Sequence, residues 1–191
     1  MLLTKTELYD RYYSVYPDKA NLYRGDTEMP NHCHNRVTIY GSGNDTDETR
    51  AQIAKLKGIF EDESTFTQII PEPDWPNTPL TPELAKESYG AKRGNVGELP
   101  VKHEDPWLTY RFQSTGQQDD RWYDWRLQNW DTKWDAYDIQ IMDDDPDQLE
   151  VEIETAWSPP EAICQKLRDM YPDLSISWFF DEPGCEIAGY L

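Results

Sequence analysis

The sequence predicts an α+β two-layer sandwich: a mainly antiparallel sheet with its helices packed on one face. Three observations predict it. Apolar and polar residues alternate in LEVEIETA (149–156) and through Tyr137, Ile139 and Ile141, as in strands with one buried face. The segments 47–60 and 159–170 instead repeat their apolar residues at helical spacing, the mark of amphipathic helices. Short turn-rich strings join the later strands in pairs, which favours hairpins over parallel crossovers.

In chain order, residues 1–28 read as an N-terminal extension ahead of a single domain over 29–191. Tyr9, Tyr12, Tyr13 and Tyr16 share helical spacing before Pro17, so a short helix docking its tyrosines on the body is expected there. NRVTIY (35–40) is the first strand, closed by the turn string at 41–44. The helix 47–60 places Ile53, Leu56 and Phe60 on one side, with Asp45 or Thr46 as its cap. STFTQII (64–70) reads as a second strand, stopped by Pro71 and Pro73. Residues 71–106 hold seven prolines and read as a Pro-rich insertion with one helix at 82–89.

The second half starts with a helix at 120–130 and a strand at 133–142, and the string 143–147 supplies a turn before the strand 149–156. Ser158 is the expected cap of the next helix, with Pro159 at its first position and Glu161 closing a capping box. Ile163, Leu167 and Met170 form its expected buried stripe. Strands at 174–180 and 186–190, about a Pro183-Gly184 turn, complete the chain. Hairpin-linked strands with helices on one side correspond to a ferredoxin-like arrangement.

Composition narrows the function classes. Aromatic residues reach 13%, which argues against a chain disordered throughout and for a core built on large rings. The net charge of -19 opposes direct contact with nucleic-acid phosphates or anionic membranes and favours basic protein partners. Cys33, Cys164 and Cys185 make an odd count unsuited to a disulfide framework. With neither a signal-peptide core nor a membrane-length apolar run, the expected location is the cytoplasm. Residues 119–154 alone carry thirteen carboxylates against Arg121, Arg126 and Lys133, more than half of the net charge.

Several strings resemble one family: Met29-Pro30-Asn31 with Cys33, Asn35 and Val37; Ile69-Ile70-Pro71; Trp122-Tyr123-Asp124-Trp125-Arg126; Asn129-Trp130; Thr132-Lys133-Trp134-Asp135-Ala136-Tyr137; and Thr155-Ala156-Trp157-Ser158-Pro159-Pro160. Together they resemble the phage- and plasmid-borne proteins of unknown function typified by YubB, which carry a ferredoxin-like domain. The resemblance spans 29–189 and implies a mobile-element origin, in the company of genes that disarm host defences. It brings no catalytic residues. This chain departs from the pattern in having residues 1–28 ahead of Met29, and His32 where an aromatic residue is common.

Each cluster has a plain structural reading beside a functional one. Glu150, Glu152 and Glu154 would stand about 6.8 Å apart on one strand face, matching two rises of a DNA strand; the plain reading is a solvated face. Asp143, Asp145 and Asp147 alternate as calcium ligands do, but Pro146 and the absent central glycine spoil that loop. His32-Cys33-His34 is a metal candidate that would need His103, Cys164 or Cys185 nearby; the plain reading is a buried Cys33 between exposed histidines. A dyad of Cys33 or Cys185 with His103 has no supporting signature, and Gly41-Ser42-Gly43-Asn44 lacks the lysine of a phosphate loop. Trp122, Trp125 and Trp130 are expected to pin their helix to the sheet, with Arg126 and Lys133 paired to nearby acids.

The expected protein is therefore a non-enzymatic, acidic accessory protein with no catalytic residues, metal or cofactor. Its partner would be a basic host protein that handles nucleic acid or serves in defence, bound through Asp143, Asp144, Asp145, Asp147, Glu150, Glu152 and Glu154. The alternatives are a metal-dependent enzyme using His32, His34 and His103, and an assembly subunit that oligomerises through residues 1–28.

Overall fold

The computed structural model describes residues 31–41, 43, 46–86, 92–102 and 110–191; the extension at 1–28, with its expected tyrosine helix, lies outside them. Strand β1 (His32–Gly41) buries every second side chain from Cys33 to Ile39. Helix α1 (Asp47–Phe60) opens on a capping box in which Thr46 and Thr49 exchange hydrogen bonds, and it buries Ile53, Leu56, Ile59 and Phe60. Farther along come β4 (Tyr137–Asp145), β5 (Gln148–Ala156), the last long helix (Glu161–Met170), β6 (Leu174–Glu182) and β7 (Ile187–Tyr190).

These strands form one antiparallel sheet in the order β4-β5-β1-β6-β7. Without the edge strand β7, the order is the fourth-first-third-second arrangement of a ferredoxin-like unit, with β1, β4, β5 and β6 as its four strands. The two long helices supply Leu56, Phe60, Ile163 and Leu167 to one core with Val37, Ile39, Val151, Ile153, Ile176 and Trp178. Among the described residues, no helix is long and apolar enough to cross a membrane.

One buried amide ties the three middle strands together. Asn35, 2% exposed, donates from Nδ2 to the Cys33 carbonyl at 2.8 Å and to Thr155 Oγ1 at 2.9 Å. Its Oδ1 accepts the Trp178 indole N–H at 3.0 Å, and Thr155 passes its own proton to the Ser158 carbonyl. The polar atoms of three strands are thus satisfied in one register, and a slip would leave them unpaired in an apolar core.

Residues 61–136 lie between α1 and β4 as an insertion that includes the expected 71–106. It holds α2 (Thr65–Ile69), a 3₁₀ turn at Trp75–Asn77, the two-stranded β2 (Val101–Lys102) and β3 (Tyr110–Arg111) and the helix α3 (Arg121–Asn129); the helix Glu161–Met170 is α4. Leu80, Ala85 and Phe112 make a second small core. A Cβ at Gly94 would stand 2.7 Å from Leu80 Cδ1, so any larger residue would have to push that side chain aside. Arginines fasten the insertion. Arg121, 1% exposed, is bidentate to Asp119 and donates to the Thr78 and Trp75 carbonyls. Arg93 pairs with Asp120 and Asp124, and Arg126 with Glu72.

Several expectations fail for identifiable reasons. The string 64–70 is not a strand but holds α2, because the Asp135 carboxylate accepts the Phe66 and Thr67 amides at 2.6 and 3.2 Å and Phe66 and Ile69 reach the core on one side. No helix forms over the described residues 82–86, where turns lead to a bridge between Lys86 and Lys92. Residues 133–136 precede the strand, while Asp143 to Asp145 belong to β4, leaving Pro146 and Asp147 as the turn. Ser158 does not cap α4: its hydroxyl donates to the Asp131 carbonyl, and Asp131 Oδ2 takes the Ala162 amide at 2.9 Å. Met170 is exposed and Cys164 holds its place in the buried stripe.

Replacing Asn35 by alanine should lower stability by about 3 kcal/mol, since it leaves buried partners unsatisfied. Urea unfolding followed by tryptophan fluorescence measures this; a loss below about 0.5 kcal/mol would show the amide to be dispensable.

Candidate functional site: the acidic open face

The sheet face away from the helices is built by the same alternation that buries the core. Register brings Glu154 opposite Tyr137 and His34, Glu152 opposite Gln140 and Arg36, and Glu150 opposite Asp143 and Thr38. The expected carboxylate row therefore exists, but it runs along the third ferredoxin strand with neighbours on both sides. Two irregularities in β4, between Tyr137 and Gln140 and between Ile141 and Asp143, keep Asp143 in that row despite the extra residues.

The row is internally countered. Arg36 lies 2.5 Å from Glu152 and 3.4 Å from Glu150, which raises its already high pKa, chiefly through the Glu152 hydrogen bond. Glu154 hydrogen-bonds His34 through Nδ1 and lies 3.9 Å from His32, whose Nδ1 meets the Tyr137 hydroxyl at 2.9 Å. Burial, followed by the nearby Glu154 charge, pushes Tyr137 up to about 12. At the hairpin, Asp147 accepts both Arg50 Nε and Nη2, and that bond holds its carboxyl below the usual range. Asp143 and Asp145 are exposed; Asp145 accepts the Asp147 amide, and Asp143 accepts Gln148 Nε2. Asp144 pairs with Leu149 along the ladder. The structure thus gathers all seven candidates on one hairpin. The cations opposite them, Arg36, Arg50 and His34, were missed, although Arg36 already alternates outward in NRVTIY.

The other candidates separate. His32 and His34 share the open face while Cys33 turns into the core, and His103 lies outside the described residues. Among those residues, no group of three histidine, cysteine or acidic side chains is placed to hold a metal ion. Burial pushes the Cys33 thiol up to about 12 and Cys164 to about 11, so neither is a poised nucleophile. In the tryptophan string, Trp130 is fully buried and donates to the Ile70 carbonyl, with Trp125 packed on it. Trp122 stays half-buried, its ring 5.2 Å from the Arg126 guanidinium.

Two of the strings that carry the family resemblance, those at 132–137 and 155–160, meet at one joint. Thr132 Oγ1 donates to the Ala156 carbonyl and accepts the Ala156 amide, beside the Asp131 contacts to Ser158 and Ala162. Asp131 and Trp157 both have left-handed backbones, with φ of 65° and 70°. Such conformations are unfavourable for non-glycine residues and are held here by these bonds.

Residues 129–191 match the family model described as the ferredoxin-like domain in Api92-like protein. The matched stretch runs from this joint through β7, and its description names a fold and no activity. A crystal structure of protein api92 from Yersinia pseudotuberculosis is similar at 11% identity and a TM-score of 0.40, covering 85% of this chain and 93% of that one. No curated protein matches the chain.

With Cys33 and Cys164 buried and their pKa values raised, a disulfide-exchange reagent at pH 8 should label Cys185 in the native protein and all three thiols after denaturation. Rapid native labelling of Cys33 would overturn the assignment of that thiol as inert.

Proposed function

We propose that this is a non-enzymatic accessory protein of a phage or other mobile element, acting in the host cytoplasm. It binds and inhibits a basic host protein that handles nucleic acid or serves in defence, and it competes as a DNA mimic for that protein's phosphate-binding groove. The supporting observation is the charge of the open face. Asp143, Glu150, Glu152, Glu154 and, opposite His34, Asp181 converge there, with Arg36 as the permanent cation in their midst. A partner rich in arginine or lysine takes over the role of Arg36 as counterion, so association is fast and sensitive to salt.

This reading makes a signed prediction. Immobilised protein should capture from bacterial lysate, at low salt, a nucleic-acid-binding protein that duplex DNA releases. Changing Glu150, Glu152 and Glu154 to lysine should abolish that capture with circular dichroism unchanged. Arg36→Ala, which frees two glutamates, should strengthen it about threefold or more. Capture indifferent to the reversals would refute the proposal.

A further inference from the structure

A cleft in the insertion differs from the acidic row in chemistry. It opens, with a volume of about 400 Å³, between α3 and the loop around the 3₁₀ turn, and its rings are Trp75, Tyr110, Trp122 and Trp134, with Glu72 and Arg126 among them. That volume is in the range of small-molecule sites, as is the mix of mostly apolar lining with a few polar groups. The walls are held in place from behind. Glu72 takes the Trp75 indole N–H at 2.7 Å and both Arg126 Nε and Nη2, while Trp75 packs edge-on against Trp125. A cleft fixed in advance binds without a large ordering cost.

The charges and rings limit what it takes. Glu72 is matched by Arg126 and the adjoining Asp119 by Arg121, so no counter-charge is left for an ionic ligand. Each tryptophan ring already faces a cation: Arg121 at Trp75, Arg126 at Trp122 and Lys133 at Trp134, with charge-to-centroid distances of 5.1, 5.2 and 4.9 Å. A cationic guest would meet like charge on each of them. The indole N–H groups of Trp122 and Trp134 meet no acceptor among the described residues, whereas those of Trp75, Trp130 and Trp178 do. A ligand that fits presents flat apolar surface, accepts from two indoles and donates to a carboxylate. A sugar hydroxyl accepts and donates at one atom, whereas a proline-rich peptide, which has no backbone N–H, only accepts.

We propose that this cleft binds a neutral pyranose sugar, laid against Trp75, Trp122 and Trp134 with its hydroxyls shared between the two indole N–H groups and Glu72. The site is independent of the acidic face, so either proposal stands without the other.

The test uses the full chain labelled with nitrogen-15 and reads the indole N–H signals by NMR. The probes are glucose, galactose, mannose, N-acetylglucosamine and their common disaccharides, with acetyl-hexaproline amide and tetramethylammonium as competing chemistries. At least one saccharide should shift the Trp122 and Trp134 signals saturably and leave those of Trp130 and Trp178 in place. Trp122→Phe and Trp134→Phe, which keep a ring and lose the donor, should each weaken that saccharide by about tenfold. No saturable shift with any saccharide would overturn the proposal, as would shifts produced by the proline peptide or the ammonium ion alone. The wild-type titration decides the question even if a variant fails to fold.

Discussion

Asn35 is the interaction on which the rest depends. It puts an amide where the pattern of β1 calls for an apolar side chain, and the amide is satisfied in a single register of the three middle strands. That register faces Arg36 toward Glu152 and His34 toward Glu154. It also sets Thr155 where its hydroxyl reaches the turn before α4, next to the pair formed by Thr132 and Ala156. Core packing, the charge pattern of the open face and the docking of the residues after α3 therefore share one origin. A core of only aliphatic residues at these positions would gain apolar burial and lose that specification.

The second constraint is how an acid-rich chain uses its few bases. Arg93, Arg121 and Arg126 secure the insertion, and Arg121 does so with 1% of its surface exposed. Buried ion pairs contribute little net stability over an apolar alternative, but breaking one leaves a stranded charge. They set position more than they add stability. Arg36 and Arg50 differ: their pairs on the sheet and hairpin are exposed, so they offset local charge without stranding a buried one when broken. Among the described residues, these five guanidiniums are committed to internal carboxylates, and the remaining acids set the negative field around them.

Much of the ferredoxin-like unit is legible because period carries it. Alternation in 149–156 and helical spacing in 47–60 and 161–167 each describe an element that buries one face locally. The failures occur where a distant residue decides. Nothing within 64–70 announces a helix, since the capping carboxylate of Asp135 comes from the far end of the insertion. Ser158 and Glu161 spell a capping box, yet Asp131 outcompetes Ser158 for the first turn of α4. The acidic row was legible from β5 alone. Its cations lie on β1 and α1, and a one-dimensional reading does not pair elements. The aromatic string reads as packing, and Trp130 and Trp125 do pack into the core. The cleft beside Trp122 is not legible in the string because Trp75 and Tyr110 come to it from residues far earlier in the chain.

The outer edge of β4 has a consequence for how any protein meets this sheet. Two irregularities break its ladder, and Asp138, held at φ 49°, sits with Asp143 and Asp145 along the exposed strand. A visiting strand would find neither an even row of backbone donors and acceptors nor a neutral margin to lie on. Main-chain pairing, the least discriminating form of protein contact, is closed on that side. Any contact made there has to pass through side chains, and those side chains can change while the scaffold beneath stays the same.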